Sequence, residues 1–225
     1  WIEMSDGVRY PRPCAVCLAQ AEYDFKQRQD RAIFDGLVAE NLVDRDVWDN
    51  RFENSNQDFE KENQLEWNES VGYSERCAQR RNLFIWGDRG VGKTFMSHCI
   101  LNRFISMGYW VAAVSGKTLI ENDKDFKKAS LAFKRRTVRV LLIDDIDKIP
   151  RNEAGLTTLW DILNERTYRN RRTILTSNMS KPDLYKHLVE NVQDQRALVT
   201  SALDRLNPCQ EIHMTGPSFR EKFNA

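Results

Sequence analysis

The sequence has no apolar run approaching the roughly eighteen residues a membrane helix needs, and no secretory leader pattern opens it. These absences give the expectation of a cytoplasmic protein with no membrane partner. Charge of one sign is missing too: 34 Lys and Arg stand against 33 Asp and Glu, and a net charge of +1 supplies no overall pull toward nucleic acid. The five cysteines are odd in number and scattered, which argues against a disulfide framework and fits a reducing compartment. There is no internal repeat and no low-complexity tract. The first residue is Trp rather than Met, so the natural N-terminus is expected to lie upstream.

What is present suits a globular protein with a sizeable core: 225 residues, 41% hydrophobic and 30% charged. From Pro11 to about Phe52 apolar residues such as Phe25, Ile33, Leu37 and Val38 recur at helical spacing, so residues 1–50 are expected to form an N-terminal helical segment. Residues Arg51 to Glu75 turn acidic, with Glu53, Asp58, Glu60, Glu62, Glu66 and Glu69. They offer little for a core, and 51–81 is expected to be a linker and peripheral helix. From Asn82 to the end, 82–225, short apolar strands alternate with helices. Strands are expected at Leu83 to Trp86, Tyr109 to Val114, Val138 to Ile143 and Thr173 to Thr176. Helices are expected over Thr94 to Met107, through Leu156 and Leu163, after the capping-box-like Ser180 and Asp183, and over Ala197 to Leu203. That alternation predicts an α/β domain with a parallel sheet covered on both faces.

Gly87-Asp88-Arg89-Gly90-Val91-Gly92-Lys93-Thr94 fits G-x-x-x-x-G-K-[ST] and lies between an expected strand and an expected helix. Glycines let successive backbone N–H groups turn inward onto phosphate oxygens, and the helix N-terminus adds partial positive charge. Lys93 is suited to the outer phosphates and the Thr94 hydroxyl to Mg²⁺. The bland alternative is a Gly-rich turn that happens to carry a lysine. Further on, Val140-Leu141-Leu142-Ile143 ends in Asp144 and Asp145. A hard cation takes oxygen ligands and an attacking water needs a base, so Asp144 is assigned to Mg²⁺ and Asp145 to the water. A helix cap without chemistry is the alternative, and Asp147 reads as structural. Asn178, at the tip of the strand Thr173 to Thr176, should lie beside those strand ends and can hold a water in line with the terminal phosphate. A turn-forming Asn is its alternative.

Four stretches in order, GDRGVGKT, VLLIDDID, NERTYRNRRTILTSN, and LDRL followed by GPSFR, resemble the DnaC/IstB-like group of AAA+ ATPases, the helicase loaders and their transposition-helper relatives. The resemblance implies a P-loop NTPase fold of AAA+ type, with Asp144 and Asp145 as the Walker B pair and Asn178 as sensor 1. It also implies Arg205 as an arginine finger and Arg220 at the nucleotide-contacting sensor 2 position. Asp145 departs from the Glu of many AAA+ proteins, and its shorter side chain is expected to slow hydrolysis. The sequence stops five residues after Arg220, so no helical lid is expected. Arg205 follows a helix and precedes Asn207-Pro208, a position from which it can reach a neighbouring subunit. A surface arginine capping its own helix is the alternative, and Arg196 is the fallback finger.

Cys14 and Cys17 have the spacing of half a zinc site, and the alternatives are Zn²⁺ with ligands from elsewhere or two ordinary thiols. Two basic stretches, Lys124, Lys127, Lys128, Lys134, Arg135, Arg136 and Arg139, then Arg166, Arg169, Arg171 and Arg172, are solvated helix faces or a track for a single strand on which Tyr168 could stack. The resemblance implies a Mg²⁺-dependent ATPase that self-associates into a ring or spiral. Its function would be that of a helicase loader, which grips single-stranded DNA and delivers a hexameric replicative helicase held by the N-terminal segment, residues 1–50. A transposition helper acting on duplex DNA with a transposase, or a nucleotide-gated interaction module with little hydrolysis, would use the same elements.

Overall fold

Five strands lie side by side in the order β4-β5-β6-β3-β7, every neighbouring pair parallel. They come from a computed structural model that describes residues 2–3, 9–10, 15–76, 82–119, 138–190 and 196–219. The strands are β3 (Asn82–Gly87), β4 (Val111–Ser115), β5 (Val140–Asp144), β6 (Arg172–Ser177) and β7 (Cys209–Met214). A separate two-residue pair, β1 (Ile2–Glu3) and β2 (Arg9–Tyr10), is antiparallel. Parallel neighbours need crossovers, and three are visible. They are α4 (Lys93–Ser106) between β3 and β4, α5 (Glu153–Tyr168) between β5 and β6, and α6 (Lys181–Val189) with α7 (Arg196–Asp204) between β6 and β7. Ser180 caps α6 as its spacing predicts, its side chain accepting from the Asp183 N–H.

The central strands are buried on both faces, so Leu83, Phe84 and Ile85 on β3 and Leu141, Leu142 and Ile143 on β5 read as unbroken apolar runs. Helix α4 is buried nearly all round, from Met96 through Ile105. The sheet covers one side of it; α1 (Ala15–Ala39), the 3-10 turn Arg45–Asp49 and α3 (Gln64–Glu75) cover the other. Two half-buried polar links fasten that turn: Asn102 Nδ2 donates to the Asn50 carbonyl at 2.7 Å, and Asn50 Nδ2 meets His98 Nδ1 at 2.9 Å.

Residues 51–75 correct the reading that they offer little to a core. Phe59 on α2 (Gln57–Glu62), with Trp67 and Tyr73 on α3, joins the same hydrophobic cluster as the strands. Phe52 meets Trp67 edge-on at 4.8 Å and Phe59 meets Phe95 of α4 at 5.1 Å. The acidic side chains face outward while one aromatic per turn or two faces in, so composition hid a packed layer.

The second basic stretch is corrected as well. Arg166 is only 1% exposed. Its guanidinium donates to Thr173 Oγ1 at 3.1 Å and to the carbonyls of Arg139 and Arg172 at the floor of the sheet. Burial pushes its pKa down to about 9, and Arg171 presses the same way. Arg172 is buried under the rings of Phe104 and Tyr73, Arg171 donates to the Val138 carbonyl, and Arg169 pairs with Glu165. Arg166 and Arg171 satisfy main-chain carbonyls beside the strand starts, so the stretch does not form a continuous solvated track; Tyr168 and Arg169 remain exposed. Lys124, Lys127, Lys128, Lys134, Arg135 and Arg136 lie outside the described residues.

Candidate functional site

Sheet register brings the expected residues together. Gly87 ends β3 opposite Met214, Ser177 ends β6 opposite Trp86, and Asp144 ends β5 opposite Ser115, so three carboxyl ends line one rim. Across that rim opens a cavity of about 650 Å³ whose lining includes Arg89, Gly90, Lys93, Thr94, Asp145 and Asn178. Its volume is within the range of small-molecule sites.

The loop Gly87 to Gly92 turns through positive φ at Gly90 (+87°) and Gly92 (+94°), and each glycine is also pressed from outside. A Cβ at Gly92 would stand 2.3 Å from Phe59 Cε2, and one at Gly90 2.3 Å from Ser218 Oγ. The loop is therefore held between α2 and the segment after β7, where the Phe219 N–H donates to the Gly90 carbonyl at 3.1 Å. Val91 is buried and anchors the loop to the core.

Lys93 opens α4 and reaches back into the loop. Its Nζ donates to the Gly87 carbonyl at 2.9 Å, the Asp88 carbonyl at 2.7 Å and Asn178 Oδ1 at 3.0 Å. Burial lowers its pKa from the ordinary lysine value, while the carboxylates of Asp145, Asp147, Asp144 and Asp88 oppose that fall. Thr94 Oγ1 lies 2.9 Å from one oxygen of Asp144 and 3.2 Å from the other. Three hard oxygen donors within one hydrogen-bond length fit a hard divalent cation such as Mg²⁺.

Several side chains that build this cluster escaped the sequence reading. Thr176, fully buried, donates to Asp144 and accepts from the Asp145 N–H at 2.8 Å, which locks the two β5 acids to β6. Asp147 supports the site directly. Its carboxylate accepts from the Asn178 N–H at 3.0 Å and from Asn178 Nδ2 at 2.9 Å, fixing the amide so that its oxygen faces Lys93. Burial alone would raise the Asp147 pKa, but the hydrogen bonds from the Asn178 side chain and backbone outweigh it and hold the group below the usual carboxylate range. The readable signal was the Asp-x-Asp spacing after β5, together with a Thr two residues before the Asn. Lys148, paired with Asp145, and Phe219 also line the cavity.

Arg205 lies outside the lining of this cavity, and its Nε donates to Asn164 Oδ1 at 3.0 Å on α5. Arg220 and Cys14 lie outside the described residues. Cys17 is exposed on α1, and among the described residues no group of three or more His, Cys, Asp or Glu could hold a metal, so nothing there completes a zinc site. Among the same residues no helix is long and apolar enough to cross a membrane.

The profile of the family described as IstB-like ATP binding protein matches residues 22–225. The chain belongs to that family. Two sequence relatives are a chromosomal replication initiator protein DnaA of Thermoanaerobacter sp. (strain X514), 33% identical over 103 residues, and the insertion sequence IS21 ATP-binding protein of Pseudomonas aeruginosa, 28% identical over 150 residues. The matches cover 43% of this chain and 23% of the DnaA protein, and 63% of this chain and 53% of the IS21 protein. The chain thus spans about a quarter and about half of their lengths. The crystal structure of DnaI superposes with a TM-score of 0.62 at 20% identity, covering 80% of this chain and 97% of that one. The fold of this IstB-like protein is accordingly the P-loop AAA+ type: a parallel five-stranded sheet flanked by helices.

Proposed function

We propose that the chain hydrolyses ATP and acts as a helicase loader, assembling on single-stranded DNA and delivering a hexameric replicative helicase. The observation that carries the ATPase reading is the joined constellation at the sheet rim: Lys93 on Asn178, and Thr94 on Asp144, across one cavity. In this reading the loop N–H groups and Lys93 grip the triphosphate. Thr94 and Asp144 would hold Mg²⁺, which when bound would supply neutralisation of phosphate charge. Asp145 accepts the proton of the attacking water as the bond between the γ-phosphorus and the bridging oxygen of ADP breaks, yielding ADP and phosphate. Asn178 orients the water once Lys93 has turned to the phosphates. Arg205 leaves Asn164 to stabilise charge on the phosphoryl group of a neighbouring copy, which makes the active unit a ring or spiral.

The client-binding part of the reading is supported by α1. Its N-terminal half is exposed on every side and carries Val16, Leu18, Tyr23 and Phe25 at 47 to 77% exposure, more apolar surface than a solvated helix needs. The test is capture of a purified replicative helicase by the full chain and by Leu18→Ser/Phe25→Ser. Loss of capture in the variant, with ATP binding intact, is expected; no capture by the unaltered chain with ATP or ADP overturns the loader reading. The IS21 relative favours one other client, a transposase acting on duplex DNA. Filter binding decides: preference for duplex over single strands selects the transposition helper.

A further inference from the structure

We propose that Lys148 is a positioning residue that restrains Asp145, so that each turnover requires the Lys148–Asp145 pair to open. The inference rests on the reading of Asp145 as the base for the attacking water.

The pair is built into the backbone. Asp145 adopts φ +52°, a left-handed conformation that Asp tolerates, and turns the chain from β5 into the 3-10 turn Ile146–Lys148. The turn closes with Lys148 three residues after the Asp145 cap, and the side chains of the two form an ion pair. The main chain under them is pinned: Asp145 N donates to Thr176 Oγ1 at 2.8 Å, and Lys148 N donates to the Asp145 carbonyl at 2.9 Å. The nearby alternative acceptor, Asp147, is committed to Asn178 through both its oxygens. The turn therefore sends Asp147 to the amide and leaves Lys148 to Asp145, inside the cavity that Lys93, Thr94 and Asn178 also line.

An ammonium on Oδ2 holds one of the two carboxylate oxygens and fixes the orientation of the group that would accept the water's proton. Lys148 is 48% exposed and Asp145 25%, and a pair this open restrains by a small factor. The effect to look for is thus about a threefold to fivefold change in rate.

The experiment compares the full chain with Lys148→Ala, Lys148→Arg and Asp145→Asn, reading kcat, KM and the Kd of a fluorescent ATP analogue. Lys148→Ala is expected to raise kcat about threefold to fivefold with KM and Kd unchanged, and Lys148→Arg to stay near the parent. In an Asp145→Asn background Lys148→Ala should have no effect. Unchanged or lower kcat in Lys148→Ala, beside an inactive Asp145→Asn, overturns the restraint and leaves the base reading standing. A weaker Kd at constant kcat also overturns it, because it makes Lys148 a phosphate ligand. Turnover by Asp145→Asn at the parent rate removes both readings together.

Discussion

Asp147 shows how much of this site depends on one carboxylate that touches no phosphate in the proposed chemistry. It holds Asn178 by two hydrogen bonds, and its pKa is depressed by them. A depressed folded pKa contributes stability that is present above the unfolded value and is lost as pH falls through the folded one. Asp147→Asn should therefore lower stability by about 1 kcal/mol at neutral pH, discounted for a half-buried group, and the deficit should shrink below pH 4 or so. Urea unfolding of both proteins at pH 7 and pH 3 checks it; a deficit that grows in acid contradicts the assignment. Lys93 gives the sharper functional contrast. Lys93→Ala removes the only side chain that bridges the loop carbonyls to Asn178 among the described residues, and should abolish binding of the fluorescent ATP analogue. Asp145→Asn should bind it as the parent does and fail to turn over.

At the scale of elements, the phosphate loop is a turn clamped from two sides. Gly92→Ala would meet both a positive φ and the Phe59 ring, so it should cost at least about 1 kcal/mol and displace α2 along with the loop. Chemical denaturation and analogue binding should fall together. Trp67→Ala removes a buried ring beside Phe52 and should cost about 3 kcal/mol or more, measurable as a lower melting temperature. The strand–loop–helix of the phosphate site, β5 with its acids, β6 with Asn178 and the Ser180 cap were legible because each rests on local rules: an apolar run, a glycine pattern, a capping side chain. Strand β7 was not, since only Ile212 and Met214 are buried and the edge strand otherwise reads as a polar loop. The α2–α3 layer was hidden by its acidic face. Arg166 was misread because a sequence shows a charge but not the carbonyls waiting to accept its donors.

Across the whole molecule, the cavity rim and the buried arginine lie at opposite ends of the same strands, so the sheet has one open end and one sealed end. Assembly is tested at this scale. Arg205→Ala should bind nucleotide like the parent, while its turnover no longer rises with protein concentration. Turnover that stays at the parent level and keeps its concentration dependence would return Arg205 to a local role with Asn164. Helix α1 sets a further constraint. Lys26 ties it to the body by donating to the Ser106 carbonyl at the end of α4. The exposed stretch from Ala15 to Phe25 spans about 16 Å at the α-helical rise. On the proposed loader reading, a client gripped at that outer tip would hang on a lever whose fulcrum is the far end of the helix that Lys93 begins. Small tilts of α4 as the loop fills would be magnified into larger swings of the cargo, and cutting the Lys26 tether would let the arm pivot without transmitting them.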